Sequence, residues 1–270
     1  MLQKNKVKTV VVMTTCNDRK IVLDQIDAIK WSCNESFEIV VVDDKGGLEL
    51  PCTVLRSQSK LKGFPFQKGA FKVNEGIQWS LKNIDFDMVM VLDDDALPIG
   101  KGLDTWALNK FKKNPKIGMI GTKDDIKACS LYREPMKVKM MMEQLSKWHP
   151  IENWTPPPEV IFYAVNFQSR ALVEKLNIMG MLDVEKEIWS MPCETFQSWV
   201  TNLAGFDLEF CGRYPNELTP PLYSMHHGSV KPEDPRTISS EFLVHHSIKQ
   251  SGVDEWTIRK HFKMKRMKIF

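Results

Sequence analysis

The stretch VMVLDDDALP, residues 89–98, constrains the chain more than any other, because a fully apolar run stops there at three adjacent carboxylates. Val89, Met90, Val91 and Leu92 show no polar alternation, the pattern of a strand buried on both faces of a sheet. Asp93, Asp94 and Asp95 then stand at the strand's end, and Pro98 closes the segment. In open parallel sheets, ligands bind beyond the carboxyl ends of the strands. Clustered carboxylates repel one another unless a cation sits among them. Mg²⁺ or Mn²⁺ takes one or two carboxylates from a protein and fills its other positions with phosphate oxygens and water. The plain alternative is a solvated acidic turn, so the meaning of this stretch depends on its company.

That company repeats the pattern. VKTVVVM, residues 7–13, is a β-branched apolar block followed by the polar turn TTCNDRK. Ile21, Val22, Gln25, Ile26 and Ile29 mark a helix over 18–31, with Asp18 placed to cap it. FEIVVVDD, residues 37–44, is a second buried strand ended by carboxylates, Asp43 and Asp44. TVLRS at 53–57 makes a short third strand, and GFPFQKG reads as a loop with Lys62 and Lys68 nearby. A helix from about Ala70 places Ala70, Val73, Ile77 and Leu81 on its core stripe and leaves Asn74 and Gly76 off it. Residues 87–92 are the fourth strand, 103–113 a helix through Leu103, Trp106, Ala107 and Phe111, and GMIGT at 118–122 a fifth strand. Strands alternating with helices predict an α/β fold, a Rossmann-like and mostly parallel sheet with flanking helices.

Beyond residue 123 the rhythm changes. Residues 131–148, with Met140–Met142, read as a helix or connecting arm, and TPPP at 155–158 breaks regular structure. Residues 159–176 read as a strand feeding a helix, with Ser169 as its cap. Phe196, Trp199, Val200 and Leu203 define an amphipathic helix over 193–204 closed by Gly205. FDLEFCG is a strand, and residues 221–230 form a histidine-bearing loop. His245 and His246 fall in a predicted helix, 239–250, and read as structural.

With 270 residues and 43% apolar composition the chain can bury a substantial core. No run approaches the roughly 18 apolar residues of a membrane span, and the N-terminus lacks a signal-peptide pattern, so a cytoplasmic protein is expected. The six cysteines are widely spaced, with no CxxC pair, and are expected to be reduced thiols. Residues 259–270, RKHFKMKRMKIF, hold six of the 37 Lys and Arg and no acid, leaving 31 basic against 34 acidic groups, net −3, in residues 1–258. Such a tail can contact DNA, anionic lipid or an acidic partner, or simply solubilise the terminus. Phe262, Met264, Met267 and Phe270 among its charges suit an amphipathic helix packed on the body or a membrane face.

The order of a buried strand with a turn, a strand ending DD, an Asn-x-Gly helix and a strand ending D-x-D resembles the GT-A nucleotide-sugar glycosyltransferases, especially the large family-two class. The resemblance covers most of the chain. It implies a single GT-A domain over 1–258, with 1–122 the nucleotide-sugar half and 123–258 the acceptor side, followed by a basic tail, 259–270. It implies a nucleotide-sugar donor met by Thr14, by Asp43 or Asp44 at the nucleobase or ribose, and by Asn74 of FKVNEG. Val73 stands where the family has arginine, a gap that Lys72 or Lys68 can fill. Asp93 and Asp95 match the D-x-D, implying Mn²⁺ or Mg²⁺ held by Asp95, with Asp93 at the ribose or metal and Asp94 between them. His226 or His227 matches the family's late metal-binding histidine. Counting back from Gly205-Phe206, the family's catalytic carboxylate falls on Glu194, a base for an inverting transfer, although an acid in a first helical turn is favoured by the helix dipole in any case.

More distantly, the size and pattern resemble phage glycosyltransferases that modify hydroxymethylated DNA bases. This makes such a base the first acceptor to consider and a bacterial or phage-infected cytosol the setting, with a surface glycan or other small acceptor close behind. The readings of another class are a Mg²⁺-dependent phosphohydrolase or nuclease, which would gather acids from several strands around paired metals, and a noncatalytic nucleotide- or DNA-binding module.

Overall fold

The computed structural model describes residues 5–15, 18–58, 65–124, 135–147, 149–183, 193–214, 222–224, 243–246 and 254–267. Along the chain its elements are β1 (Asn5–Lys6), β2 (Thr9–Thr15), α1 (Arg19–Ser32), β3 (Phe37–Asp43), β4 (Thr53–Arg56), α2 (Pro65–Asn83), β5 (Ile84–Asp85), β6 (Met88–Asp93), β7 (Leu97–Pro98) and α3 (Leu103–Lys113). They continue with β8 (Ile117–Asp124), α4 (Pro135–Ser146), β9 (Ile161–Ser169), α5 (Arg170–Ile178), α6 (Cys193–Leu203), β10 (Asp207–Tyr214), β11 (Leu222–Ser224), β12 (Val244–His246) and α7 (Glu255–Met267).

The apolar blocks lie side by side in a seven-stranded sheet of order β10-β8-β9-β6-β2-β3-β4. β2, β3, β4 and β6 run parallel, β8 and β10 run parallel to each other, and β9 is antiparallel to both β6 and β8. The predicted α/β architecture is therefore present. Successive side chains of a strand point to opposite faces, and the two faces have separate cores. Val10, Val12, Val40, Val42, Val89 and Val91 pack with α2, α5 and α6. Val11, Met13, Ile39, Val41, Met90 and Leu92 pack with α1 and α3. Burial on both faces is why these strands read as continuous apolar runs.

The local signals behave as their chemistry predicts. Asp18 accepts the Ile21 N–H at 3.1 Å and Ser169 the Leu172 N–H at 3.3 Å, each capping the helix that follows. Gly205 ends α6 at φ +88°, a left-handed conformation that favours glycine.

Three expectations need correction. Helix α2 begins at Pro65 rather than near Ala70, with Pro65 at its first position. Asn74 and Gly76 are buried, not off the core stripe. Wedged between the sheet and α6, α2 buries two faces, and a Cβ on Gly76 would stand 2.5 Å from Val12 Cγ1. The predicted helix over 239–250 is contradicted by β12, which pairs antiparallel with β7 and parallel with β11 in a small second sheet. Its length of three residues, framed by long-range partners, left no periodicity to read.

No described helix is long and apolar enough to cross a membrane. Helix α7 runs across residue 258, with Ile258, Arg259, Phe262 and Arg266 buried and Lys260, Lys263, Met264 and Met267 exposed.

Candidate functional site

Parallel pairing brings the ends of β2, β3 and β6 level. Thr14 stands opposite Asp93, and Thr15 opposite Asp43. The three acids of the opening motif separate into distinct environments there. Asp93 is half-buried and accepts the Thr14 hydroxyl at 3.1 Å. Asp94 is buried and accepts the Thr15 hydroxyl at 2.8 Å. The Ala96 N–H donates to the Asp93 carbonyl at 3.1 Å, closing a tight turn over Asp93–Ala96. Asp95 is the third acid, 9% exposed, and its Oδ1 lies 3.5 Å from His246 Nε2.

His246 reaches this place because β12 pairs with β7, the strand just after the acidic turn, with His245 opposite Leu97. Sequence alone favours His226 or His227 as the metal ligand, with His245 and His246 structural. His226 and His227 lie outside the described residues. The signal for His246 was a short apolar-histidine stretch, Leu243–His246, too brief for periodicity to separate strand from helix.

Around the turn, Asp43 and Asp44 divide their work. Asp43 is 1% exposed, and its two oxygens accept the N–H groups of Lys45 at 3.0 Å and Leu48 at 3.3 Å, so it holds the loop after β3. Asp44 is exposed and pairs with Lys72 Nζ at 3.1 Å. Lys68 lies one turn earlier on α2. Val73 is fully buried against the sheet, which explains an apolar residue at that position, while its neighbour Lys72 supplies the cation toward the strand ends. Asn74 is buried, and its side-chain amide donates to the Met181 carbonyl at 3.4 Å, tying α2 to the segment that leads toward α6.

Helix α6 starts at the same edge of the sheet. It ends at Gly205-Phe206 and returns into β10, whose Asp207 pairs with Ile117 at the opposite edge. Ser198, a turn beyond Glu194, accepts the N–H of Ile161 at the start of antiparallel β9. Glu194 is 2% exposed in the first turn, where the helix dipole favours a carboxylate.

Among the described residues no group of three or more His, Cys, Asp or Glu gathers as a metal cluster. Two donors do converge, the Asp95 carboxylate and the His246 imidazole. An oxygen and a nitrogen donor at hydrogen-bond spacing could hold an ion such as Mn²⁺ that takes few protein ligands and completes its shell with phosphate and water.

In sequence the chain matches no protein-family model and no curated protein. In shape it is similar to several solved structures. One is the mannosyltransferase PcManGT from Pyrobaculum calidifontis in complex with GDP-Man and Mn²⁺, at 15% identity and a TM-score of 0.44, over 76% of this chain and 55% of that one. Another is a glycosyltransferase involved in the glycosylation of the major capsid of PBCV-1, at 11% identity and a TM-score of 0.49, over 95% of this chain and 99% of that one. A third is glucosyl-3-phosphoglycerate synthase from Mycobacterium tuberculosis in complex with Mn²⁺, uridine diphosphate and glucosyl-3-phosphoglycerate, at 14% identity and a TM-score of 0.42, over 80% and 73%. The chain thus spans 55% of the length of the first. Each is a resemblance in chain arrangement at low identity.

Proposed function

We propose that the protein is a metal-dependent glycosyltransferase that moves a sugar from a nucleotide-sugar donor to an acceptor hydroxyl. The observation that carries this is the pairing of Asp95 with His246, 3.5 Å apart, at the carboxyl ends of parallel strands whose neighbours are Asp93, Asp44 and Lys72. The sequence resemblance to family-two GT-A enzymes supports the same reading through Asp93, Asp95, Asp44 and Lys72, with His246 in the part that the resemblance gave to His226 or His227. A bound divalent ion would neutralise the charge that grows on a nucleoside diphosphate as the glycosidic bond breaks. Asp95 and His246 hold that ion, Asp93 orients the ribose side with the help of Thr14, and the Lys72–Asp44 pair presents a cation and an acceptor to the nucleotide. Residues 1–122, joined by His246, carry the donor side and the other residues up to 258 the acceptor side.

Glu194 is the proposed general base. At the edge where the strand ends gather, its carboxylate takes the proton of the acceptor hydroxyl as that oxygen attacks the sugar's anomeric carbon, giving inversion.

For the acceptor, the C-terminal helix supports a carbohydrate or other small hydroxyl compound over a DNA base. Arg259 and Arg266, two of the six basic residues of the run, are buried in ion pairs with Asp24, which removes them from the exposed cations on whose neutralisation of phosphate DNA affinity rests. A nuclease or phosphohydrolase would assemble two metals among acids from several strands. Incubation with Mn²⁺, a nucleotide-sugar panel and hydroxymethylcytosine DNA separates these readings. Release of nucleoside diphosphate with the DNA intact and its bases unmodified by mass spectrometry is expected. Strand cleavage, or DNA bearing sugar, overturns the respective part.

A further inference from the structure

The C-terminal helix α7 reaches the acidic turn from below. Arg259 is completely buried. Its Nη1 donates to Asp24 Oδ2 at 3.2 Å and to Gln25 Oε1 at 3.1 Å, its Nε donates to Glu255 at 2.9 Å, and its Nη2 donates to the backbone carbonyl of Asp94. Gln25, also fully buried, donates through Nε2 to the carbonyl of Ala96 at 2.6 Å. The carbonyls on either side of Asp95's own are therefore both held, one by α7 and one by α1. Arg266 binds the other oxygen of Asp24 at 2.9 Å, Lys20 lies 3.8 Å from the Trp256 ring centroid, and Asp254 caps the start of α7 through the Thr257 N–H at 2.9 Å.

An arginine is suited to this place. Its planar fork stays charged when buried and reaches several acceptors in fixed directions, which a lysine does not. Helix α7 uses the two basic types accordingly, with Arg259 and Arg266 inside and Lys260 and Lys263 outside. A buried cation of this kind is a poor source of stability compared with an apolar residue, so its contacts with the turn call for another explanation.

We infer that Arg259, with Gln25, is a positioning residue: it fixes the backbone on both sides of Asp95 so that the Asp95 carboxylate and the His246 imidazole converge on one ion. This inference rests on the metal-site reading above. It makes the C-terminal segment, 165 residues from Asp94 in sequence, part of the donor site without touching the ligand. Residues that orient metal ligands typically change metal affinity by about 10–100-fold when replaced.

The test is a calorimetric titration of the full-length protein with Mn²⁺ alone, run well below each variant's melting temperature. Four proteins are compared: wild type, Asp95→Asn, Arg259→Lys and Arg266→Lys. The expected result is loss of binding in Asp95→Asn, a dissociation constant raised at least about tenfold in Arg259→Lys, and near-wild-type affinity in Arg266→Lys, which loses stability only. Wild-type affinity in Arg259→Lys, with Asp95→Asn defective, overturns the inference and leaves the metal site standing. An equal loss in Arg266→Lys also overturns it, since any damage to α7 would then suffice. Unchanged binding in Asp95→Asn overturns the metal site and the inference together. Should Arg259→Lys fail to fold, Gln25→Met, which frees the Ala96 carbonyl, is read in the same titration by the same criteria.

Discussion

His246 Nε2 stands 3.5 Å from Asp95 Oδ1, joining a three-residue strand late in the chain to the turn that ends β6. The contact is made through main-chain pairing of β12 with β7, so the imidazole's position depends on strand register and not on a loop. Replacing His246 with alanine should keep the fold and weaken Mn²⁺ binding, whereas lysine there should place a cation against Asp95 and substitute for the ion. Loss of a contact to a charged group costs about 1.5–3 kcal/mol, so His246→Ala should raise the Mn²⁺ dissociation constant by about 10–100-fold. Isothermal titration of the two variants checks this.

Glu194→Gln keeps the shape of the side chain and removes its basicity. Donor binding is expected to be unchanged and kcat to fall by about 10²–10⁴, the usual contribution of a positioned base. Near-normal turnover in this variant would move the base to Asp183, Glu185 or Glu187.

Gly76→Ala tests the closeness of α2 to the sheet. Its Cβ would meet Val12 Cγ1 at 2.5 Å and Val42 Cγ2 at 3.2 Å. Overpacking of this kind costs about 1–3 kcal/mol, set against a gain of up to about 1 kcal/mol from helix propensity. A lowered melting temperature is expected; an unchanged or raised one would show that α2 can move away from β2.

How far the fold could be read in advance follows from which forces decided each element. The doubly buried strands, the capped helices at Asp18 and Ser169, and α6 with Phe196, Trp199 and Val200 on one stripe were all legible, because local pattern and tertiary burial agree there. The strand ends pointed correctly to one edge. What could not be read was set by contacts distant in sequence. Strand β12 exists because β7 and β11 flank it. Asp43 also holds its own loop, through the nearby Lys45 and Leu48 N–H groups, a role that any buried carboxylate near a turn can assume. Asn74 likewise turns to the Met181 carbonyl. The run of charges at 259–270 suits an amphipathic helix packed on the body, but its spacing does not say that Arg259 and Arg266 would be the buried cations and Lys260 and Lys263 the exposed ones. Arginine within an apolar stripe of Ile258 and Phe262 was the available signal.

The thiols supply a prediction in pH. Burial pushes the Cys52 thiol up to about 11 and the Cys211 thiol up to about 12, from an ordinary 9.0. Both therefore stay protonated below pH 9, and their alkylation in the folded protein at pH 8 should be slow. Because their folded values are raised, the stability they contribute is fully present below pH 9 and declines as pH rises through 11–12. Iodoacetamide labelling followed by peptide mass spectrometry checks this; rapid labelling at pH 8 of Cys211, which is buried, or of the half-buried Cys52 would contradict their raised values.

The most direct test of the central claim is nucleoside diphosphate release from a panel of nucleotide sugars, measured for the wild-type protein and Asp95→Asn with Mn²⁺ and with EDTA. Release from at least one donor by the wild-type protein with Mn²⁺ is expected, abolished by EDTA and by Asp95→Asn. Release that survives both treatments, or no donor consumed by a folded, Mn²⁺-loaded wild-type protein, would contradict it.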